Sequence, residues 1–195
     1  MTARAHVPWW GLVSAAAAPV LLIGGWTLAA RRQRGGFDST VETISALAAQ
    51  GADDRWVMTL ALTGLGLCHL TTAAALRPAA LPGRLLLALG GAATLGVAAF
   101  PLPSPAGSSA AHTAVAGVAF VSLAVWPAAA FRRDAPTVLT PPVSVAAAVV
   151  LSGLVLWFVT TLDSPGAQVG LAERAAAGAQ SLWPLAAAWG ARRGR

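Results

Sequence analysis

Six apolar runs, each close to 20 residues, constrain this chain more than anything else in it. They lie near Trp10–Ala30, Trp56–Leu76, Leu85–Leu102, Ala111–Phe131, Val143–Leu162 and Ala175–Ala191. An α-helix needs about 20 apolar residues to cross about 30 Å of hydrocarbon. Backbone polar groups find no water there, so only helices and closed barrels span a bilayer. A barrel strand would alternate polar and apolar residues; these runs are apolar all round. The expected fold is therefore all-α, an integral membrane bundle of six transmembrane helices forming one domain over residues 1–195. The third and sixth runs are the shortest. The first resembles a secretory leader, with Arg4 before it and Thr27-Leu28-Ala29 at its end. Its apolar core exceeds the usual leader length, so it is expected to be a retained span.

Composition agrees. Only 10% of residues are charged and 56% are hydrophobic, whereas a soluble domain carries about 25% charged residues. All 13 basic residues are arginines, and the net charge is +6. They sit in short clusters between the apolar runs (Arg31-Arg32-Gln33-Arg34, Arg132-Arg133, Arg192-Arg193-Gly194-Arg195). Such clusters meet anionic headgroups and set topology, so membrane lipid is the expected partner and nucleic acid is not. With six spans both termini share a side. Eight arginines fall there and five on the other, which predicts a plasma-membrane protein with both termini cytoplasmic. The runs are rich in Ala and Gly, as in Gly90-Gly91-Ala92-Ala93, and small residues let helices pack closely in lipid. Homo-oligomer formation is compatible with this pattern.

Cys68, the single cysteine, allows no intramolecular disulfide and reads as a packing residue. No cofactor motif is present. The histidines are His6, His69 and His112, and His6 is expected opposite His112, so a three-histidine zinc site is disfavoured and no metal is expected. His69, beside Thr71 and Thr72, is expected to be hydrogen-bonded within the bundle. The tryptophans near span ends (Trp9, Trp10, Trp56, Trp126, Trp183, Trp189) read as interface anchors.

One segment breaks the apolar pattern. Residues 36–55 form a polar loop that gathers four of the seven acidic residues, Asp38, Glu42, Asp53 and Asp54. Ser39-Thr40-Val41-Glu42 has the spacing of a capping box, and Gly51 suits a helix stop. A short interfacial helix over Thr40–Gln50 is predicted, with Val41, Ile44, Ser45 and Ala48 on one face and Asp53 or Asp54 capping the next span. The Ser45 hydroxyl either bonds back to the Val41 carbonyl or lines a pocket.

The motifs Thr43-Ile44-Ser45-Ala46-Leu47, Arg55-Trp56-Val57-Met58, Phe100-Pro101 with His112-Thr113, Gly170-Leu171-Ala172-Glu173-Arg174 and Leu182-Trp183-Pro184 occur in that order along the chain. This pattern resembles the domain-of-unknown-function 998 family, bacterial six-helix membrane proteins. The resemblance implies six spans and no assigned activity.

The outer helix ends should bring polar groups together: the loop before the second span, His112 opening the fourth, Asp163 closing the fifth, and Glu173 and Arg174 opening the sixth. Ionisable groups near membrane depth are usually paired or functional. Candidate ligand-binding residues are Glu42, Ser45, Asp53, Arg55, His112, Glu173 and Arg174, with Glu173–Arg55 and Arg174 with Asp53 or Glu42 as candidate pairs. The expected function is binding of a lipid, a small ligand or a membrane protein partner at an outward-facing polar site. Ser45, His112 and Asp163 also supply the residue types for a hydrolase acting on a lipid-like ester or amide, without a nucleophile elbow. A small-molecule transporter is a third alternative, although its substrate site would be expected near mid-membrane.

Overall fold

The computed structural model describes residues 6–133, 135–162, 164 and 168–193. Among the described residues seven α-helices follow one another: α1 (Trp9–Arg31), α2 (Ile44–Ala48), α3 (Trp56–Ala75), α4 (Leu81–Ala99), α5 (Ala110–Ala130), α6 (Pro141–Thr161) and α7 (Val169–Arg193), with a 3-10 turn at Thr137–Leu139 before α6. The described residues contain no strand. The third apolar run begins its helix four residues earlier than expected, at Leu81, with Pro82 in the first turn. There its missing N–H costs nothing.

The six long helices pack in sequence order, each against the next, and α7 returns to lie against α1. Glycine permits the closest crossings. A methyl group on Gly66 would stand 2.8 Å from the Gly91 carbonyl oxygen, and one on Gly91 would stand 2.8 Å from the Gly66 carbonyl oxygen. Backbone therefore lies on backbone where α3 meets α4. Pro19, Pro127 and Pro184 sit inside α1, α5 and α7, which membrane bundles tolerate because neighbouring groups re-satisfy the freed carbonyls.

Five helices, α1, α3, α4, α5 and α6, are long and apolar enough to cross a membrane. Their outward faces carry bare aliphatic side chains such as Val20, Leu60, Val149 and Leu156, each more than 60% exposed. Water would penalise that surface and lipid does not. The chain is a multi-pass membrane protein. The run at 175–191 lies within α7, at 25 residues the longest helix. It is more polar than the others, with Glu173, Arg174 and Gln180 in its first half. It nevertheless runs the length of the bundle. Its first turn meets the loop after α1, and Gly190 packs on Val138 of the 3-10 turn. The first and last described helical residues, Trp9 and Arg193, thus share one end, called here the terminal end; the other is the α2 end.

Among the described residues, two large apolar clusters fill the interior, and a small one joins Phe158, Ala172 and Ala176. One large cluster, near the terminal end, joins Val7, Leu76, Leu87, Leu123, Trp126 and Leu139. The other, nearer the α2 end, joins Leu22, Ile44, Leu47, Met58, Leu62 and Leu65. Trp126 is wholly buried, so it is a core residue and not an interface anchor; Trp9, Trp56 and Trp189 are exposed near helix ends as expected.

Candidate functional site

The polar loop folds differently from its capping-box reading. The helix is one turn, Ile44–Ala48, and its cap is Thr43, whose hydroxyl accepts from the Ala46 N–H at 3.1 Å. Glu42 instead reaches back to the Asp38 N–H at 2.8 Å, while the Asp38 carboxylate accepts from both the N–H and the hydroxyl of Thr40. Those bonds hold the Asp38 carboxyl below its usual value. Asx-type turn bonding outcompetes the helix over residues 38–42. The predicted face is altered with it: Ile44, Leu47 and Ala48 are buried, whereas Val41 is exposed.

What orients Ser45 comes from elsewhere in the chain. Its Oγ lies 3.0 Å from His112 Nε2. The other ring nitrogen, Nδ1, lies 2.9 Å from the Phe100 carbonyl oxygen. A carbonyl only accepts, so Nδ1 carries a proton; in the neutral ring Nε2 then presents its lone pair to Ser45. His112 is placed by Ser109, which caps α5. Glu173 of α7 completes the group. One carboxylate oxygen accepts from the Ile44 N–H, and the other lies 3.5 Å from Ser45 Oγ. The Ser45 hydroxyl therefore turns toward His112, not back to Val41. Glu173 and His112 are 4% and 6% exposed, so the cluster is enclosed, with Ser45 half-buried at its edge.

Arg174, the next residue, pins the loop to α7. A single guanidinium nitrogen, one of its Nη atoms, donates to the carbonyls of Ser39 (2.8 Å), Glu42 (2.7 Å) and Gly170 (3.0 Å). Its plane lies near the rings of Trp26 and Phe37. The Leu171 N–H donates to the Thr40 carbonyl at 2.9 Å. Gly170 makes this approach feasible, since a methyl there would overlap the Glu42 carbonyl oxygen.

The expected pairs do not form. Arg174 takes backbone carbonyls and no carboxylate oxygen of Asp53 or Glu42. Arg55 donates to the Ala48 carbonyl at 3.2 Å instead of meeting Glu173. Asp53 receives the Arg34 N–H at 3.0 Å, bracing the end of α1. Neither Asp53 nor Asp54 caps α3; Arg55 holds that position without a side-chain bond. Asp54, with φ +48°, accepts from the Trp56 indole and pairs with Arg32 at 3.1 Å. Those two contacts lower its carboxyl's affinity for protons. Asp163 lies outside the described residues.

Below the cluster, a cavity of about 60 Å³ runs down the bundle, lined by residues of α1, α2, α3, α4, α5 and α7. Ser45 and Glu173 form part of its wall, and His69, Thr94 and Gln180 supply further polar groups. Gln180 donates to the Phe120 carbonyl at 2.8 Å. Glu173, Ala177 and Gln180 follow the i, i+4, i+7 spacing of one helix face, a signal available in the sequence that singles out Gln180. Neither ring nitrogen of His69 has a protein partner among the described residues, contrary to the expectation of a hydrogen-bonded histidine. No group of three or more potential metal ligands occurs among the described residues.

The model of the DUF998 family, described as a protein of unknown function, matches residues 15–190. The chain belongs to the DUF998 family. The match includes every residue that lines the cavity and every motif on which the resemblance rests. No curated protein and no solved structure matches this DUF998 chain.

Proposed function

We propose that this DUF998 protein is a membrane-embedded binding protein that receives a hydrogen-bond-donating group, a hydroxyl or an amine, of a small amphiphile between Ser45 and Glu173. One observation carries this: a single hydroxyl hydrogen faces two acceptors. The tautomer of His112 directs the Ser45 proton to Nε2 at 3.0 Å. The Glu173 oxygen at 3.5 Å from Ser45 Oγ is then only weakly met by that hydroxyl, beside a cavity. A buried oxygen in that position gains from a ligand that brings a closer donor. Volume narrows the ligand. The cavity volume is about 60 Å³, a space suited to the polar tip of a ligand or a short apolar stub.

The arginine balance favours cytoplasmic termini in a plasma membrane, with α7 as sixth span, so the ligand arrives from the outer side. The test is native mass spectrometry of the full chain after gentle extraction. Wild type should carry a small bound mass, and Glu173→Gln should lose it, because the amide can still accept from Ile44 but turns a donor toward Ser45. No bound mass in wild type, or an unchanged one in the variant, would count against the proposal.

A hydrolase is the second reading, favoured by the Ser45–His112 contact and the carbonyl that orients the imidazole. Two observations weigh against it. The N–H groups of Ile44 and Ala46, flanking the serine, already donate to Glu173 and Thr43, and a carboxylate stands where an oxyanion would need donors. A fluorophosphonate probe should leave Ser45 unlabelled; labelling of wild type but not of Ser45→Ala would favour hydrolysis.

A further inference from the structure

The proposed ligand meets the cavity at its α2 end, and nothing above assigns a role to its deep end. There His69 is 1% exposed, faces the cavity, and has no protein partner at either ring nitrogen. A neutral imidazole offers one donor and one acceptor, and in the membrane interior such a group is retained for a reason.

We propose that the deep half of the cavity is a hydrated proton site, in which water links His69 to Glu173 and carries protons to and from the α2 end alone. Three features of the cavity support it. The whole cavity, about 60 Å³, is large enough to hold water along its length. Polar atoms are spaced along its wall to hold it. Thr94 gives its hydrogen to the Gly90 carbonyl at 2.8 Å, which leaves its lone pairs free to accept; Gln180 and Ser45 lie along the same wall. A buried water needs two to four such partners. The path is also short: Leu62 to His69 on α3 and Glu173 to Gln180 on α7 each cover seven residues, about 10 Å of helix.

On its terminal-end side the cavity adjoins the apolar cluster of Leu76, Leu87, Leu123 and Trp126, with Leu123 lining both. Among the lining residues Glu173 of α7 is the other titratable group; α1, α4 and α5 contribute apolar side chains and the Thr94 hydroxyl. The step moves one proton. Hydrated proton from the α2 end, or from the Glu173 carboxyl, passes through water to the free ring nitrogen, giving imidazolium, and the reverse path restores the neutral ring. The proposal goes beyond ligand binding and stands without it.

The experiment is deuterium exchange at the imidazole C2 position, read for each histidine by peptide mass spectrometry on the full chain in lipid nanodiscs with no ligand added. Exposed His6 reports open solvent. His69 should exchange despite its burial, and Leu65→Phe, which fills the cavity, should abolish that exchange while His6 is unchanged. Thr94→Val, nearly isosteric, should slow it and covers the case in which Leu65→Phe fails to fold. A His69 that stays unexchanged in wild type while His6 exchanges would overturn the proposal, as would exchange that neither variant alters. Either result leaves the Glu173 mass-spectrometry test untouched.

Discussion

The two ends of the bundle close by different means. At the terminal end the backbone does most of the work. The Ala80 N–H donates to the Ala130 carbonyl at 2.8 Å, the Arg132 N–H to Leu139 at 3.0 Å, and Arg84 covers the last carbonyls of α3. Apolar side chains fill the space beneath. At the α2 end a largely non-helical loop is held by side chains borrowed from α5 and α7: His112 takes Ser45, Glu173 takes Ile44, and Arg174 takes three carbonyls. A closure built of backbone and hydrocarbon has one arrangement. A closure built of a few side-chain bonds can open around a ligand by exchanging partners, which is why the candidate site lies there.

That contrast can be broken from either side. The largest effect should come at the sealed end, where Trp126→Ala removes a wholly buried ring. Truncations of this kind cost about 3–5 kcal/mol. Thermal unfolding in nanodiscs should register the loss while the folded fraction keeps its bound mass; loss of ligand without loss of stability would erase the distinction between the ends.

Next comes Glu173→Leu at the α2 end. It leaves the Ile44 N–H unmet in a buried setting, for which about 1–3 kcal/mol is expected. Limited proteolysis should then cut within residues 36–55 before the bundle unfolds. Equal resistance to wild type would mean that Glu173 does not hold the loop. Thr43→Ala, removing the α2 cap, should cost about 1 kcal/mol and raise loop proteolysis less than Glu173→Leu does.

The smallest effect concerns Asp54, at the exposed junction of α1 and α3. Its folded carboxyl titrates below its unfolded value of 3.8 because the Trp56 indole and Arg32 favour the anion. The stabilisation is thus present above pH about 3.8 and is lost as pH falls through the lower, folded value. Asp54→Asn should match wild type in its acid-loop release below that pH and differ slightly above it, measured by Trp56 fluorescence.

Much of this was legible in the sequence, and for identifiable reasons. Hydropathy over 20-residue windows reports helices that must satisfy their own backbone, so the long helices stand near their expected positions. Which end gathers Ser45, His112 and Glu173 follows from alternating helix direction alone. Local bonding was harder to read. Ser39 and Glu42 have capping-box spacing, but Asp38 competes for the same N–H groups and wins. Arg55 and Arg174 carry charge that suggests carboxylate partners, yet both meet backbone carbonyls, which a residue pattern does not display. The polar role of Gln180 was visible as helical spacing from Glu173. The cavity was not, because it depends on how the faces of six helices fit together.

Convergence of Ser45 and Glu173, 128 residues apart, is the claim on which the rest depends. It is tested most directly by cross-linking Ser45→Cys to Glu173→Cys in membranes, in a Cys68→Ala background. Rapid closure by a short bridging or oxidising reagent is predicted, with no closure for Ser45→Cys paired with Gly190→Cys at the terminal end. Failure of the first pair to close, or equal closure of both, would contradict the account.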